Sequence, residues 1–113
     1  MMEKLMHSFQ SSLRLKKHMD CLYTHGSLYL VRNNNLLYHG SVPMLEDGSF
    51  DSLDILGQEY SGKALFDKID TVMRAAYYED DKSDLKKYGQ DLNWYLWCGP
   101  VSPPFDKHKM ATF

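Results

Sequence analysis

The spacing of apolar residues changes period twice along this chain, and that pattern limits the fold more than any other feature. Met2, Leu5, Met6 and Phe9, and then Leu15, Met19, Leu22 and Tyr23, recur at the spacing of one helix face. Between Gly26 and Ser61 the period shortens to that of strands, and after Ser61 it returns to the helical one. Such a switch reads as a mixed α/β chain, with helices flanking a β-hairpin. Ser12 stands where it can cap the second helix, and Gly26 where it can end that helix in a left-handed conformation. Residues 27–32 and 36–38 are rich in Leu, Tyr and Val. Asn33-Asn34-Asn35 between them tolerates positive φ, which predicts a hairpin at about residues 27–39. Glu46-Asp47-Gly48-Ser49 reads as a turn, and residues 50–60 as a small polar hairpin about Leu56-Gly57. Ser61 is placed to cap a long helix at about residues 62–78, with Leu65, Phe66, Ile69, Val72, Met73 and Ala76 on one face. Residues 79–87 read as a charged surface link. A short helix or turn from Asp91 then carries Trp94 and Trp97 as core anchors, Gly99-Pro100 stops it, and Pro103-Pro104 holds the tail extended.

The stretch that bears on chemistry is Leu36-Leu37-Tyr38-His39-Gly40-Ser41-Val42-Pro43. It has the form of a buried strand that delivers one imidazole to its C-terminal mouth. Gly40 lets the backbone turn away and leaves room for a neighbouring metal or phosphate. A strand-end histidine also suits a hydrogen-bonded core position, and on the residues alone both readings stay open. No residue stands out as catalytic. His7, His18, His25 and His108 read as solvated, and His18 and His25 are seven apart where a helical metal pair needs four. Glu79-Asp80-Asp81 lacks the alternating oxygens and central glycine of a calcium loop. Ser41 lies outside any Gly-x-Ser-x-Gly elbow.

The 113 residues read as a single segment. A formal net charge of -2 argues against nucleic acid as a partner, because phosphate-backbone binding needs clustered cations. Cys21 and Cys98 read as free thiols of a reducing cytoplasm. No apolar run reaches the roughly 20 residues of a membrane span, and the first residues lack a signal-peptide core, so the expectation is a soluble, cytoplasmic protein. A lone hairpin is marginal in water and too small to cover the helix faces at Leu15, Met19 and Leu22 and at Leu65, Ile69, Val72 and Met73. Self-association through exposed apolar helix faces, or excision from a larger α/β protein, follows from that shortage. A stand-alone non-catalytic interaction module and a truncated gene product are the alternatives.

Several motifs in order carry a resemblance. Gly26-Ser27-Leu28-Tyr29-Leu30, Asn33-Asn34-Asn35, Leu36 to Met44, Tyr60-Ser61-Gly62-Lys63-Ala64-Leu65, Asp91 to Trp97 and Lys109-Met110-Ala111-Thr112-Phe113 together resemble the class III fructose-1,6-bisphosphatases of Firmicutes and related bacteria. The resemblance covers essentially the whole chain. It implies an internal slice of a calcineurin-like metallophosphoesterase sandwich, an α/β fold. It implies a phosphoric monoester hydrolase that releases the 1-phosphate of fructose 1,6-bisphosphate in gluconeogenesis, with a binuclear Mn²⁺ centre. His39-Gly40 is similar to the His-Gly of that superfamily, which makes His39 a metal ligand by resemblance. Leu96-Trp97-Cys98-Gly99-Pro100 loosely resembles a second superfamily segment. The family's Asp-x-His, Gly-Asp-x-x-Asp-Arg-Gly, Gly-Asn-His and final Gly-His segments are absent, and Pro104 and Asp106 stand where Leu and Gly are expected. One imidazole cannot hold a binuclear site, so the isolated chain is expected to be inactive.

Overall fold

The computed structural model describes residues 1–80, 82–99 and 102–104. Within them run α1 (Met2–Ser11), α2 (Leu13–His25), β1 (Tyr29–Arg32), β2 (Asn35–Tyr38), β3 (Ser52–Ile55), β4 (Gln58–Ser61), α3 (Gly62–Tyr78) and α4 (Asp84–Cys98). The strands form two separate antiparallel hairpins, β1–β2 and β3–β4, so the mixed α/β reading holds. Positive φ at Asn33 (50°) and Asn34 (62°) closes the first, and Leu56 (55°) with Gly57 (82°) closes the second. Paired positive values mark the turn type whose twist matches that of the flanking strands. The turn at Gly48 is also as expected, with φ of 87° there and the Leu45 N–H donating to the Ser49 carbonyl at 2.8 Å.

Ser12 caps α2, its hydroxyl accepting the Leu15 N–H at 3.2 Å. Gly26 follows that helix in an extended conformation (φ -74°), not the left-handed one expected. Its need for glycine is one of space, since a Cβ there would lie 2.5 Å from the Leu22 carbonyl oxygen. Ser61 precedes α3, yet its hydroxyl makes no capping bond. The chain reverses at Gly62 (φ 53°) as it enters the helix.

The core forms where α3 meets α4 and the β3–β4 hairpin. Leu65, Ile69 and Val72 are buried with Ile55, Leu92 and Leu96. Four expectations are corrected here. The Leu65–Val72 face of α3 is covered, by α4 and by β3–β4 rather than by a large sheet. The stretch expected as a charged link already holds the first turn of α4, capped by the Ser83 hydroxyl, which accepts the Lys86 N–H at 3.4 Å. Leu92 and Leu96 make the core contacts of α4, while Trp94 and Trp97 are each 74% exposed and anchor nothing in the core. Pro103 and Pro104 lie in a turn, not an extended tail, and Pro103 is fully buried. The expected stop at Pro100 and the departure at Asp106 lie outside the described residues.

Against this core, α1 buries no residue. The radius of gyration is 15.9 Å, above the roughly 13 Å of a compact domain near this length.

Candidate functional site

His39 directly follows β2, as the sequence predicts, but the strand that carries it is exposed along its whole length. The expectation of a buried strand is therefore corrected. Among the described residues β2 pairs with β1 alone, and the hairpin rests on α3 through Phe66 and through Asp67, which accepts the Tyr29 hydroxyl at 2.6 Å. The Tyr29 and Tyr38 rings meet that phenyl edge-on at 6.0 and 6.4 Å. Leu30 and Leu37, paired across the two strands, are each 53% exposed.

The His39 imidazole borders two clefts. One, of about 450 Å³, has walls from Tyr23, Leu28, Arg74, Leu96 and Trp97. The other, of about 540 Å³, has walls from Tyr29, Tyr38, Phe66 and Pro103. Among the described residues the ring has no hydrogen-bond partner, so the hydrogen-bonded core reading of His39 does not hold. The space that Gly40 opens is not free for a ligand. A Cβ at Gly40 would stand 2.2 Å from the Pro103 carbonyl oxygen, so the proline segment occupies the place expected for a metal or phosphate.

Sequence reasoning passed over Asp70 and Arg74, which share the first cleft with His39. Their spacing of four on a helix was the available signal. Arg74 Nε donates to Asp70 at 3.1 Å, and its two terminal nitrogens donate to the carbonyls of Tyr23 and Gly26. The guanidinium thus clamps the end of α2 onto α3 and satisfies carbonyls that a helix end leaves open. It is engaged with protein acceptors and not presented as an anion-binding group. Tyr77 repeats the tie higher on the same helices. Its hydroxyl donates to Asp20 at 2.5 Å, and its ring stacks on Tyr23 at 4.1 Å. The Asp20 bond, with burial and the charge itself, pushes the Tyr77 phenol up to about 12.

Among the described residues no three His, Cys, Asp or Glu side chains gather as a metal site. One free imidazole with an already paired carboxylate near it can contribute a single ligand and cannot hold an ion alone. Among the described residues Ser41 and the exposed thiol Cys98 have no base hydrogen-bonded to them, and the exposed thiol Cys21 has only a long contact to one. Cys21 lies 4.0 Å from His25, but that ring nitrogen is 3.3 Å from the Cys21 carbonyl. Among the described residues no helix is long and apolar enough to cross a membrane.

Residues 1–113 match the family described as Firmicute fructose-1,6-bisphosphatase. The chain is 57% identical over 113 residues to a fructose-1,6-bisphosphatase class 3 of Bacteroides fragilis, covering 100% of this chain and 17% of that protein. It is 54% identical over its full length to the protein of the same name from Clostridium tetani, and 50% identical over 111 residues to that of Clostridioides difficile, 17% of each being covered. The chain therefore spans about 17% of the length of the curated relatives it matches. No solved structure matches it.

Proposed function

The chain belongs to the Firmicute fructose-1,6-bisphosphatase family, and from that premise we propose that it works as one part of a longer sugar bisphosphatase. The observation that carries this reading is the full-length family match to proteins of which the chain spans only 17%. In the proposed enzyme a phosphate monoester is hydrolysed by water, with the 1-phosphate of fructose 1,6-bisphosphate as substrate and gluconeogenesis as the setting. This chain's share is scaffold and one ligand. The α3–α4 core and the Arg74 clamp hold the end of α2 and Gly26 after it, and His39 follows β2 at the border of two clefts, its imidazole without a hydrogen-bond partner among the described residues.

The remaining ligands of the metal centre then come from polypeptide outside these residues. The residues present do not fit a metal ion by themselves, so no chemical step is assigned to them. Mn²⁺ is the metal that the family resemblance suggests. In a centre of this class the ion supplies charge that polarises the phosphate and acidifies a bound water. A cytoplasmic location and a metallophosphoesterase sandwich around this slice belong to the same proposal.

The test is His39→Ala in a full-length class 3 enzyme carrying this segment, compared with the same change in the 113-residue chain. Loss of metal content and a fall in phosphate release by two or more orders of magnitude, with helical content retained, is the expected result for the former. The short chain should release no phosphate and bind no stoichiometric Mn²⁺, with or without His39. Near-parental activity of the full-length variant would remove His39 from the site.

A further inference from the structure

The sheet holds β2 only as far as Tyr38, which pairs with Tyr29, and His39 lies beyond the paired residues. The strand is exposed, pairs on one side only among the described residues, and gives way to His39 and then to Gly40 at φ 88°. What meets the chain at this point is the segment Ser102-Pro103-Pro104. Ser102 is 1% exposed, and its hydroxyl donates to the Leu96 carbonyl at 2.7 Å, while its N–H donates to the Gly99 carbonyl at 3.2 Å. That ties it to the last turn of α4, whose carbonyls have no helical partner. Pro103 is fully buried, and its carbonyl accepts the Ser41 N–H at 2.9 Å. Two consecutive prolines have fixed φ and few accessible conformations, so the segment is stiff. Pro104 borders both clefts beside His39.

We infer that residues 102–104 are a strap that positions the His39 imidazole, with Ser102 as its anchor and Gly40 as the residue that admits it. The route is continuous: core helix α4, Ser102, the Pro103 carbonyl, the Ser41 amide, Gly40, His39. Only glycine satisfies both demands at position 40. A Cβ would sit 2.2 Å from the Pro103 oxygen and 3.0 Å from the Pro104 oxygen, and φ lies in the left-handed region. A ligand already held in one orientation loses less freedom when it binds, which is how such a strap would serve a metal centre. The inference rests on His39 being a ligand, as proposed above.

Gly48 supplies an internal control. Its φ of 87° matches that of Gly40, but a Cβ there would meet nothing within 4 Å. Gly48→Ala therefore carries the backbone strain without the collision. In the full 113-residue chain, below any concentration at which it self-associates, the readouts are the His39 ring resonances and the hydrogen-exchange rate of the Ser41 amide. Gly40→Ala and Ser102→Ala should each shift or broaden the ring signals and speed Ser41 exchange about tenfold or more, the scale of one lost buried hydrogen bond. Gly48→Ala should move neither. Pro104→Ala, which loosens the strap without opening the core, serves as the probe if Ser102→Ala unfolds, and it should also move the ring signals. Unchanged His39 resonances in whichever of these strap variants stays folded would overturn the inference, as would equal effects of Gly40→Ala and Gly48→Ala. No metal enters this experiment, so its failure and the failure of the ligand reading are separately visible.

Discussion

Single residues in this chain are set by local chemistry that is easy to name. Leu56 occupies a left-handed turn position (φ 55°) that suits Asn or Gly, with its side chain half exposed and its N–H donating to the Tyr88 hydroxyl at 3.1 Å. Leu56→Asn keeps that donor and relieves the backbone, so it should stabilise the chain by about 1 kcal/mol, read from urea midpoints. The Asp20–Tyr77 pair gives a pH signature. The Tyr77 hydroxyl first, and Lys16 second, hold the Asp20 carboxyl below its ordinary 3.8, so its contribution to stability is full above that value and is lost as pH falls through the folded-state value. Tyr77 is raised from 10.0 to about 12, so its contribution is full below pH 10 and is lost as pH climbs from there to about 12. Stability should therefore fall at both extremes, and Tyr77→Phe should flatten the alkaline fall and part of the acid one in a pH series of unfolding midpoints. Asn33-Asn34 and His39 were legible at this scale, because turn chemistry and a strand-end histidine are local in sequence. Arg74 was not, since its acceptors on Tyr23 and Gly26 lie about fifty positions away and only folding brings them near.

Among the elements, α3 was read from the sequence and α4 only in its second half. The reason lies in one glycine. Leu85, Tyr88, Leu92 and Leu96 form a stripe that begins at the Ser83 cap, but Lys86, Lys87 and Gly89 within it look like a charged link with a breaker. The structure shows the use of Gly89. A Cβ there would lie 2.1 Å from the Ala76 Cβ, so the two helices approach as closely as they do because that side chain is absent. Gly89→Ala gains helix propensity of up to about 1 kcal/mol but overpacks the contact at a cost of about 1–3 kcal/mol. The net expectation is a loss of thermal stability, and a higher melting temperature in this variant would show that the helices separate without penalty. The glycine after α2 was identified as a helix end but not for its reason, because close approach to a backbone and a left-handed conformation both favour glycine.

At the scale of the whole molecule the apolar surface is divided unevenly. α3, α4 and β3–β4 share one core, whereas Met2 (73%), Met6 (57%) and Phe9 (63%) on α1 remain exposed, as do Val31 and Leu36 on the first hairpin. Contiguous apolar surface beyond a few hundred Å² drives association. The chain alone should therefore self-associate in sedimentation velocity, through α1 and the hairpin rather than through the covered face of α3. A concentration-independent monomer would contradict this. Charged substitutions at Met6 and Phe9 should reduce the association while leaving the α3–α4 core folded. The sequence by itself determined the order of helices and hairpins, the place of both hairpin turns (the first read one residue too long, since Asn35 pairs in β2), the span of α3 and the position of His39 after β2, because periodicity and turn chemistry act over a few neighbouring residues. Only the tertiary structure decided which apolar faces are covered, that Trp94 and Trp97 point outward while Leu92 and Leu96 point in, and that Pro103 fills the space beside Gly40. Those outcomes depend on contacts between residues far apart in the chain, and a one-dimensional pattern of polarity carries no record of which distant surface a given face will meet.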